Sequence, residues 1–430
     1  MKIRFFNTYE PVSAFYRDLI PHLATADLVT GDLEIEIVVS KTEYRKRVDI
    51  ADLFGPFTNV TVTKTPNLGL HAHQGTVAKA IVTLLYTIWA ASYALFGPRA
   101  DVNVFLSQPP MIPLLGYLLA FLRRQPYFSV VMDVQPQVSI ALGLAKETNL
   151  LVRVFKYLSV TAWKKATGVV VIGRCMQEKL NQLGVPHENL HFIPNWANED
   201  EIRPIAFEAN RLIADRGWIN KFVVLYAGNI GVPQYFDDIL EVAKRLESEQ
   251  DLIFAFIGGG ARKNEIEEYV INNNLSNIEI LPFLQHQYSL SEILSAGHVH
   301  FIALRDNIAG LAVPSKAYGV LAAGRPFIYQ GSSHGEIAQM ISSENIGFTV
   351  ECGDPDALEI SIMQHFQDQD LVTIHGKKAR LLAENTYSKR KSLNSYASII
   401  LSTIQQKSEQ VVGSDINISE MQSTVVDSDL

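Results

Sequence analysis

The chain has 430 residues, of which 47% are hydrophobic and 19% charged, and its net charge is −8. This composition excludes a largely disordered protein, and two cysteines exclude a disulfide framework or a cysteine metal cluster. Residues 1–198 carry 19 basic and 14 acidic side chains, whereas the remainder carries 18 and 31. A basic first half suits a membrane surface or a phosphorylated substrate, although a solvated face has the same pattern. The basic residues are scattered, which argues against a nucleic-acid partner.

Strand-like apolar runs alternate with helical stretches in the first half, and MKIRFF at the N-terminus is interpreted as a first strand, not a signal peptide. This alternation predicts a parallel sheet wrapped by helices. The predicted strands lie at residues 3–6, 35–39, 60–63, 102–106, 127–132 and 168–172.

Two segments of the first half are apolar enough to be considered for contact with a membrane. Residues 77–96 form either a buried helix, an interfacial helix or a span, although Lys79 interrupts them. Residues 111–122 are too short to span, and the basic pair that follows them, Arg123-Arg124, predicts contact with an inner leaflet.

Two sites in the first half contain side chains that can bind a metal ion or transfer a proton. His71 and His73 lack further ligands at metal spacing, so we expect loop polar groups or contacts to a phosphorylated acceptor. Asp133 follows an apolar strand and precedes the Pro136 turn. It either orients or deprotonates an acceptor hydroxyl, or it caps the turn.

A second alternating series follows the polar connection at residues 194–204, PNWANEDEIRP. Its predicted strands lie at residues 222–227, 252–257, 278–281, 299–303, 327–329 and 347–350. The chain is therefore predicted to be α/β, with two Rossmann-like doubly wound parallel-sheet domains that face each other across a cleft. The predicted units are residues 1–196, residues 197–388, a helix at 389–406 that packs back on the first domain, and a disordered acidic tail at 407–430.

Glycine-rich turns follow two strands of the second series. The segment LYAGNIG at residues 225–231 and the segment IGGGARK at 257–263 allow backbone N–H groups to approach a ligand. A tight turn explains either segment equally well. Together with a third segment on the same sheet they favour a nucleotide-diphosphate site.

That third segment is VPSKAYGVLAAGRPF at residues 313–327, which predicts an anion site at a helix start. Ser315 is expected to cap a short helix, Gly324 to end it in the left-handed conformation, and Pro326 to prevent its continuation. A phosphate suits the free N–H groups, the hydroxyl and Lys316, although a buried α/β connection has the same sequence signature.

These segments together resemble a family 4 glycosyltransferase of GT-B fold. The resemblance rests on VIGRCMQEKLNQLGVPHENLHFIPNWAN at residues 171–198, on YAGNIG, on FIGGGARK, on ILPFL at 280–284 and on VPSKAYGVLAAGRPFI. The last segment, with SQPP at 107–110 and VVMDVQPQ at 130–137, is most similar to the branch that builds O-antigen, colanic-acid and exopolysaccharide units.

The resemblance implies transfer of a sugar, with retention, from a nucleoside-diphosphate donor to an acceptor, without a cofactor or an obligatory metal. The basic first half and the apolar helices lead us to expect a lipid-linked or saccharide acceptor and a cytoplasmic protein that is peripheral on the inner membrane face. Asp133 and Lys316 are the expected catalytic residues. The expected donor-binding residues are Gly228, Asn229, Gly231, Gly259, Arg262, Pro282, Phe283, Pro314, Ser315, Lys316 and Glu336.

The chain departs from the family pattern at three positions. Leu311 and Gly319 stand where many members carry two glutamates, and Met132 stands where a histidine often precedes the aspartate. Ribose recognition is therefore expected from Glu336. A non-catalytic nucleotide-sugar-binding subunit and a nucleotide-sugar epimerase of the same fold remain as alternatives.

Overall fold

The computed structural model describes residues 1–7, 13–25, 32–40, 53–65, 76–107 and 111–404, and of residues 76–80 only the backbone. The two loop histidines, the end of the SQPP segment and the acidic tail predicted at 407–430 lie outside these residues.

Seven parallel strands form the first sheet in the order β3-β2-β1-β4-β5-β6-β7. Six of them match the predicted strands, and the three-residue β7 is too short to show a periodic pattern. The bounds are β1 Lys2–Asn7, β2 Glu34–Val39, β3 Val60–Lys64, β4 Val102–Leu106, β5 Tyr127–Val131, β6 Gly168–Val171 and β7 Leu190–Phe192.

Six parallel strands form the second sheet in the order β10-β9-β8-β11-β12-β13. Most of its central residues are buried, as expected where helices cover both faces of a parallel sheet. The bounds are β8 Phe222–Asn229, β9 Leu252–Gly259, β10 Ile278–Leu281, β11 Val299–Ala303, β12 Phe327–Gln330 and β13 Gly347–Val350.

Helices connect the strands throughout. Several begin at side-chain caps, such as Asn149, whose Oδ1 accepts from Leu151 N at 2.9 Å. The helices are α1 Ala14–Ala24, α2 Thr76–Phe96, α3 Ile112–Arg123, α4 Gln137–Ala141, α5 Leu150–Lys165, α6 Arg174–Gln182, α7 Arg211–Arg216, α8 Asp237–Arg245, α9 Lys263–Asn273, α10 Leu290–Ser295, α11 Lys316–Ala322, α12 Glu336–Glu344, α13 Pro355–Gln367, α14 Gln369–Asn385 and α15 389–404.

The helices divide between the two faces of the first sheet. Tyr86 of α2, Leu119 of α3 and Trp163 of α5 share one core with the sheet. Helix α1 covers the opposite face, and the C-terminal helix α15 joins it there. The end of the chain thus packs on the sheet formed by its beginning. No helix in the described ranges has the length and apolar character needed to cross a bilayer.

Direct backbone contacts join the two halves of the molecule where strand ends meet. Asp133, after β5, forms an antiparallel bridge with Ala312, and Val134 N donates to Leu311 O at 2.8 Å. A parallel bridge joins Ala197 and Ser388. The two sheets, each complete in its own half, therefore face one another across a shared cleft.

Helix α15 generates a stability prediction. Tyr396 is 1% exposed, and its ring packs edge-on against Phe15 of α1 with 4.9 Å between centroids. Tyr396→Ala should lower the free energy of unfolding by about 3 kcal/mol, because it leaves a large cavity between α15 and the sheet. Urea denaturation measures the change, with exposed Ser398→Ala as the control. Equal stability of the two variants would contradict the docking of α15.

Candidate functional site

A cleft of about 990 Å³ lies between the two sheets. Like ligand sites in other open α/β sheets, it lies where strands end at their carboxyl edges. Six of the residues expected from the sequence line it together: Asp133, Gly228, Asn229, Pro314, Ser315 and Lys316.

The segment 313–327 begins as the sequence predicts only in part. Helix α11 starts at Lys316, but Ser315 has helical torsion angles and its hydroxyl makes no capping bond. The expectation that Ser315 caps the helix is therefore wrong, because its side chain is not placed to accept from the first turn. Gly324 ends the helix with φ of +63°, as predicted.

Lys316 carries the most unusual electrostatics of the cleft. Its Nζ lies 3.5 Å from the centroid of the Tyr226 ring, and it has no hydrogen-bond partner among the described residues. The stem of the side chain is partly exposed, whereas Nζ itself is buried. Desolvation lowers the pKa of Lys316 to about 7, so the amine is poised between its neutral and charged forms at physiological pH.

The two glycine-rich turns pack against each other. Gly228 pairs with Gly258 across β8 and β9, and both have positive φ, at +133° and +152°. A Cβ on Gly258 would overlap Gly228 O, so close approach of the two strand ends requires glycine there. This is the tight-turn interpretation that the sequence left open, and it coexists with Gly228 and Asn229 at the cleft wall.

Two residues expected to bind the donor are already engaged within the protein. Gly231 N donates to Gln234 Oε1 at 2.9 Å. Arg262 forms ion pairs with Asp237 at 3.1 Å and Glu265 at 2.7 Å. Neither Gly231 nor Arg262 lines the cleft. The anion contact of Arg262 therefore stays a prediction, and it would require this side chain to leave two carboxylates that already neutralise its charge.

Pro282 and Phe283 follow β10 beside the cleft without lining it. Both are exposed, and the Phe283 ring lies over Gly259, where an added Cβ would come within 3.3 Å of a ring atom. Gln285, two residues further on, does line the cleft. Gly259 thus leaves room for the aromatic ring instead of lining the cleft itself.

Glu336 does not have the surroundings expected of a ribose-binding residue. Its carboxylate is buried, accepting from Arg174 N at 2.6 Å and from Arg174 Nη2 at 2.9 Å, and it is absent from the cleft lining. Burial raises the pKa of Glu336, although Arg174 opposes the shift. The ribose role of Glu336 stays a prediction; what the structure shows is that Glu336, at the start of α12, binds α6 and joins the two halves.

Asp133 lies at the contact between the halves. Ser107 Oγ accepts from Met132 N at 3.0 Å and from Asp133 N at 3.4 Å, which fixes the chain after β5. Of the two positions lacking the family's glutamates, Leu311 is buried and Gly319 lines the cleft. Neither position therefore supplies an acidic side chain to the cleft wall.

Several cleft residues were missed by the sequence analysis. Phe15 and Asp18 come from α1, and Trp196 comes from the connection that was interpreted as a linker. Trp196 Nε1 donates to Asp18 Oδ2 at 2.8 Å, and Lys389 Nζ approaches Asp18 Oδ1 at 2.6 Å. The tryptophan in PNWAN was the available signal, since a large aromatic residue is unusual in a solvated linker.

The buried amine of Lys316 predicts a pH-dependent stability difference. Unfolded lysine binds a proton up to its ordinary pKa of 10.5, whereas folded Lys316 loses it above about 7. The unfolded chain holds the extra proton between these values, so this group's destabilising effect is full below pH 7 and fades toward pH 10.5. Lys316→Met should therefore be more stable than the native chain at pH 7.

Urea denaturation at several pH values checks this expectation. Lys377→Met is the control, because that lysine is exposed on α14. The gain in Lys316→Met should shrink as the pH rises from 7 to 10. If the gain in the free energy of unfolding did not depend on pH, it would come from better packing of the methionine and not from the removal of a desolvated amine.

Comparison with known proteins agrees with this architecture. Residues 221–368 match the model of the family described as Glycosyl transferases group 1. WbjE of Pseudomonas aeruginosa, which carries a glycosyltransferase name, is 29% identical over 70% of this chain and 74% of its own length. WcaI of Escherichia coli strain K12, named for colanic acid biosynthesis, is 30% identical over 53% of this chain and 55% of its own.

Among solved structures, HepE of Anabaena in complex with UDP and glucose superposes with a TM-score of 0.68 at 13% identity. The match covers 94% of this chain and 100% of HepE, which shows the shared fold. The resemblance and the α/β fold class predicted from the motifs are confirmed. The matched segment contains the whole second sheet, and these likenesses together show a GT-B fold whose second half is similar to the Glycosyl transferases group 1 family.

Proposed function

We propose that the enzyme transfers a sugar, with retention of configuration, from a nucleoside-diphosphate donor to a lipid-linked or saccharide acceptor in surface polysaccharide or glycolipid biosynthesis. HepE was crystallised with UDP-glucose, and WcaI is named for colanic acid biosynthesis. In this proposal the protein is cytoplasmic and works at the inner membrane face. The glycosyltransferase names of both curated relatives favour transfer over the epimerase and the non-catalytic subunit.

The observation that carries the donor proposal is the unpartnered Nζ of Lys316 in the cleft. A diphosphate beside it would supply the missing partner and raise the pKa of the amine, so that a proton is taken up on binding. The resulting ammonium would stabilise the charge that develops on the departing diphosphate. In this proposal Lys316 takes the place of an obligatory metal ion.

The backbone at the start of α11 offers further donors. Ala317 N and Tyr318 N already donate to the carbonyls of Pro314 and Ser315. The N–H groups of Ser315 and Lys316 precede these bonds and have no partner inside the helix. They are therefore the ones that we assign to the phosphate oxygens, together with Gly228 and Asn229 on the facing strand end.

Asp133 is assigned to the acceptor side, because it belongs to the first sheet and lines the same cleft. Its bridge to Ala312 keeps it next to the segment that leads into α11. The carboxylate would orient the acceptor hydroxyl and receive its proton while the new glycosidic bond forms and the sugar–diphosphate bond breaks.

The overall proposal is tested by incubating the enzyme with a panel of radiolabelled nucleotide sugars and a membrane lipid extract. Transfer of label into the lipid fraction is expected with at least one donor, and the anomeric configuration of the product reports retention. Binding of a donor without transfer to lipid or saccharide would contradict the proposal.

Lys316→Met should lower kcat/KM by about 100-fold or more, because it removes a preorganised positive charge that would stabilise the leaving diphosphate. In the native enzyme kcat/KM should fall as the pH rises above about 7, because the free enzyme then loses the Lys316 proton. Lys316→Arg keeps its charge and should lack this fall. Lys377→Met is the control, and unchanged turnover in Lys316→Met would remove Lys316 from the leaving-group role.

Asp133→Asn should lower kcat by about 100-fold or more while nucleotide affinity stays the same. Calorimetric titration with the nucleoside diphosphate of the accepted donor measures affinity, and product formation measures kcat. Loss of nucleotide affinity, with kcat retained at saturation, would place Asp133 in donor binding instead.

A further inference from the structure

Three helices of the first half share an unusual charge pattern. Helices α2, α3 and α5 contain 21, 12 and 16 residues, and none of these is Asp or Glu. They lie side by side on one face of the first sheet, with α3 packed against both neighbours. Their outward surface, with the loop before α5, is called the three-helix face below.

Large apolar side chains point outward from this face at helical spacing. On α5, Leu150, Leu151 and Tyr157 are 70%, 78% and 71% exposed. On α3, Phe121 is 74% exposed, and Leu122 lies beside it. Helix α2 adds four more exposed apolar side chains, those of Ile81, Leu84, Ile88 and Phe96. Nothing in the described part of the chain covers these side chains.

Basic side chains accompany the apolar ones. Arg124 follows α3, Arg153 and Lys156 lie within α5, and Lys164 and Lys165 end it. Arg153 and Lys156 line a cavity of about 330 Å³ whose walls include Val152, Tyr157 and Val160. Lys156 pairs with Glu147 at 2.7 Å, whereas Arg153 has no ion pair among the described residues. The cations thus belong to the same helices as the exposed apolar side chains.

We propose that the three-helix face docks on an anionic lipid bilayer. Docking would bring the cleft to a lipid-linked acceptor, and in this respect the inference rests on the proposed function. Apolar side chains that lie among cations, without acidic residues on the helices, suit the boundary between headgroups and acyl chains. Tyr157 and the long basic side chains place apolar stems inward and polar ends at the headgroups. The negative charge of anionic lipids complements the cations.

The charge of the whole chain supports a directed orientation. The residues after 198 carry 18 basic and 31 acidic side chains, so the second half is repelled by an anionic surface. Attraction at the three-helix face and repulsion elsewhere would hold the first half against the bilayer.

Vesicle flotation of the full chain tests the proposal without any donor or acceptor. The native chain should float with vesicles of phosphatidylcholine and phosphatidylglycerol and bind pure phosphatidylcholine less tightly. Leu150→Ser with Leu151→Ser, and Phe121→Ser with Leu122→Ser, should each weaken binding by about tenfold or more. Arg153→Ser should weaken it by about fivefold.

The controls match exposure and charge on the other half of the molecule. Ile271→Ser with Ile360→Ser removes two residues that are 71% and 59% exposed, and Lys377→Ser removes an exposed lysine. Neither control should change vesicle binding. The proposal is overturned if the native chain does not bind anionic vesicles, or if the control variants weaken binding as much as the test variants.

A second measurement separates this proposal from a failure of the enzyme or of folding. All variants should keep native circular dichroism and should transfer sugar to a detergent-dispersed acceptor at the native rate. If transfer is absent while vesicle binding behaves as expected, the proposed function fails and the docking surface stands. A native dimer that Phe121→Ser dissociates would show that a second copy occupies the face, which overturns the proposal.

Discussion

The buried contact between Arg174 and Glu336 is the constraint on which the cleft depends. Glu336 begins α12 of the second half, and its carboxylate accepts from both the backbone and the guanidinium of Arg174 at the start of α6. The Glu336 side chain is fully buried, whereas that of Arg174 is 38% exposed, so removing Arg174 would leave an uncompensated buried carboxylate, which is more costly than the pair itself is stabilising. Together with the bond from Val134 N to Leu311 O, this contact sets the distance between the two walls of the site.

Between these two walls the amine of Lys316 is buried without a hydrogen-bond partner among the described residues. Lys316 lies on the Tyr226 ring with no hydrogen-bond partner among the described residues, and the cost appears as a lowered pKa. Other charged groups nearby are satisfied: Arg262 has two carboxylates, and Asp18 has Trp196 and Lys389. This contrast is the reason for proposing that a bound ligand supplies the partner of Lys316, since strongly perturbed pKa values cluster at functional sites.

Local patterns were sufficient for the architecture and insufficient for the site. Strands β4, β10, β11 and β13 have the bounds that their apolar runs predict. For β4 and β11, in which every residue is buried, the reason is that helices cover both faces of the sheet. The glycines of LYAGNIG and IGGGARK were interpreted as places where the backbone approaches a ligand. Glycine is required there partly because Gly228 pairs closely with Gly258 on the neighbouring strand. Sequence spacing cannot distinguish a backbone that approaches a ligand from one that approaches another strand.

The sequence by itself determined the two parallel sheets, the helix that begins at Lys316 and the resemblance to glycosyltransferases, because each depends on residues close together in the chain. Tertiary structure alone decided which polar groups face the cleft. Glu336 and Arg262 were equally good candidates by residue type, yet Arg174, Asp237 and Glu265 engage them from other elements. Conversely, Trp196 and Asp18 are separated by 178 positions and meet only because the connection folds against α1. Availability of a side chain is a property of its neighbours in space, and the linear order of residues does not contain it.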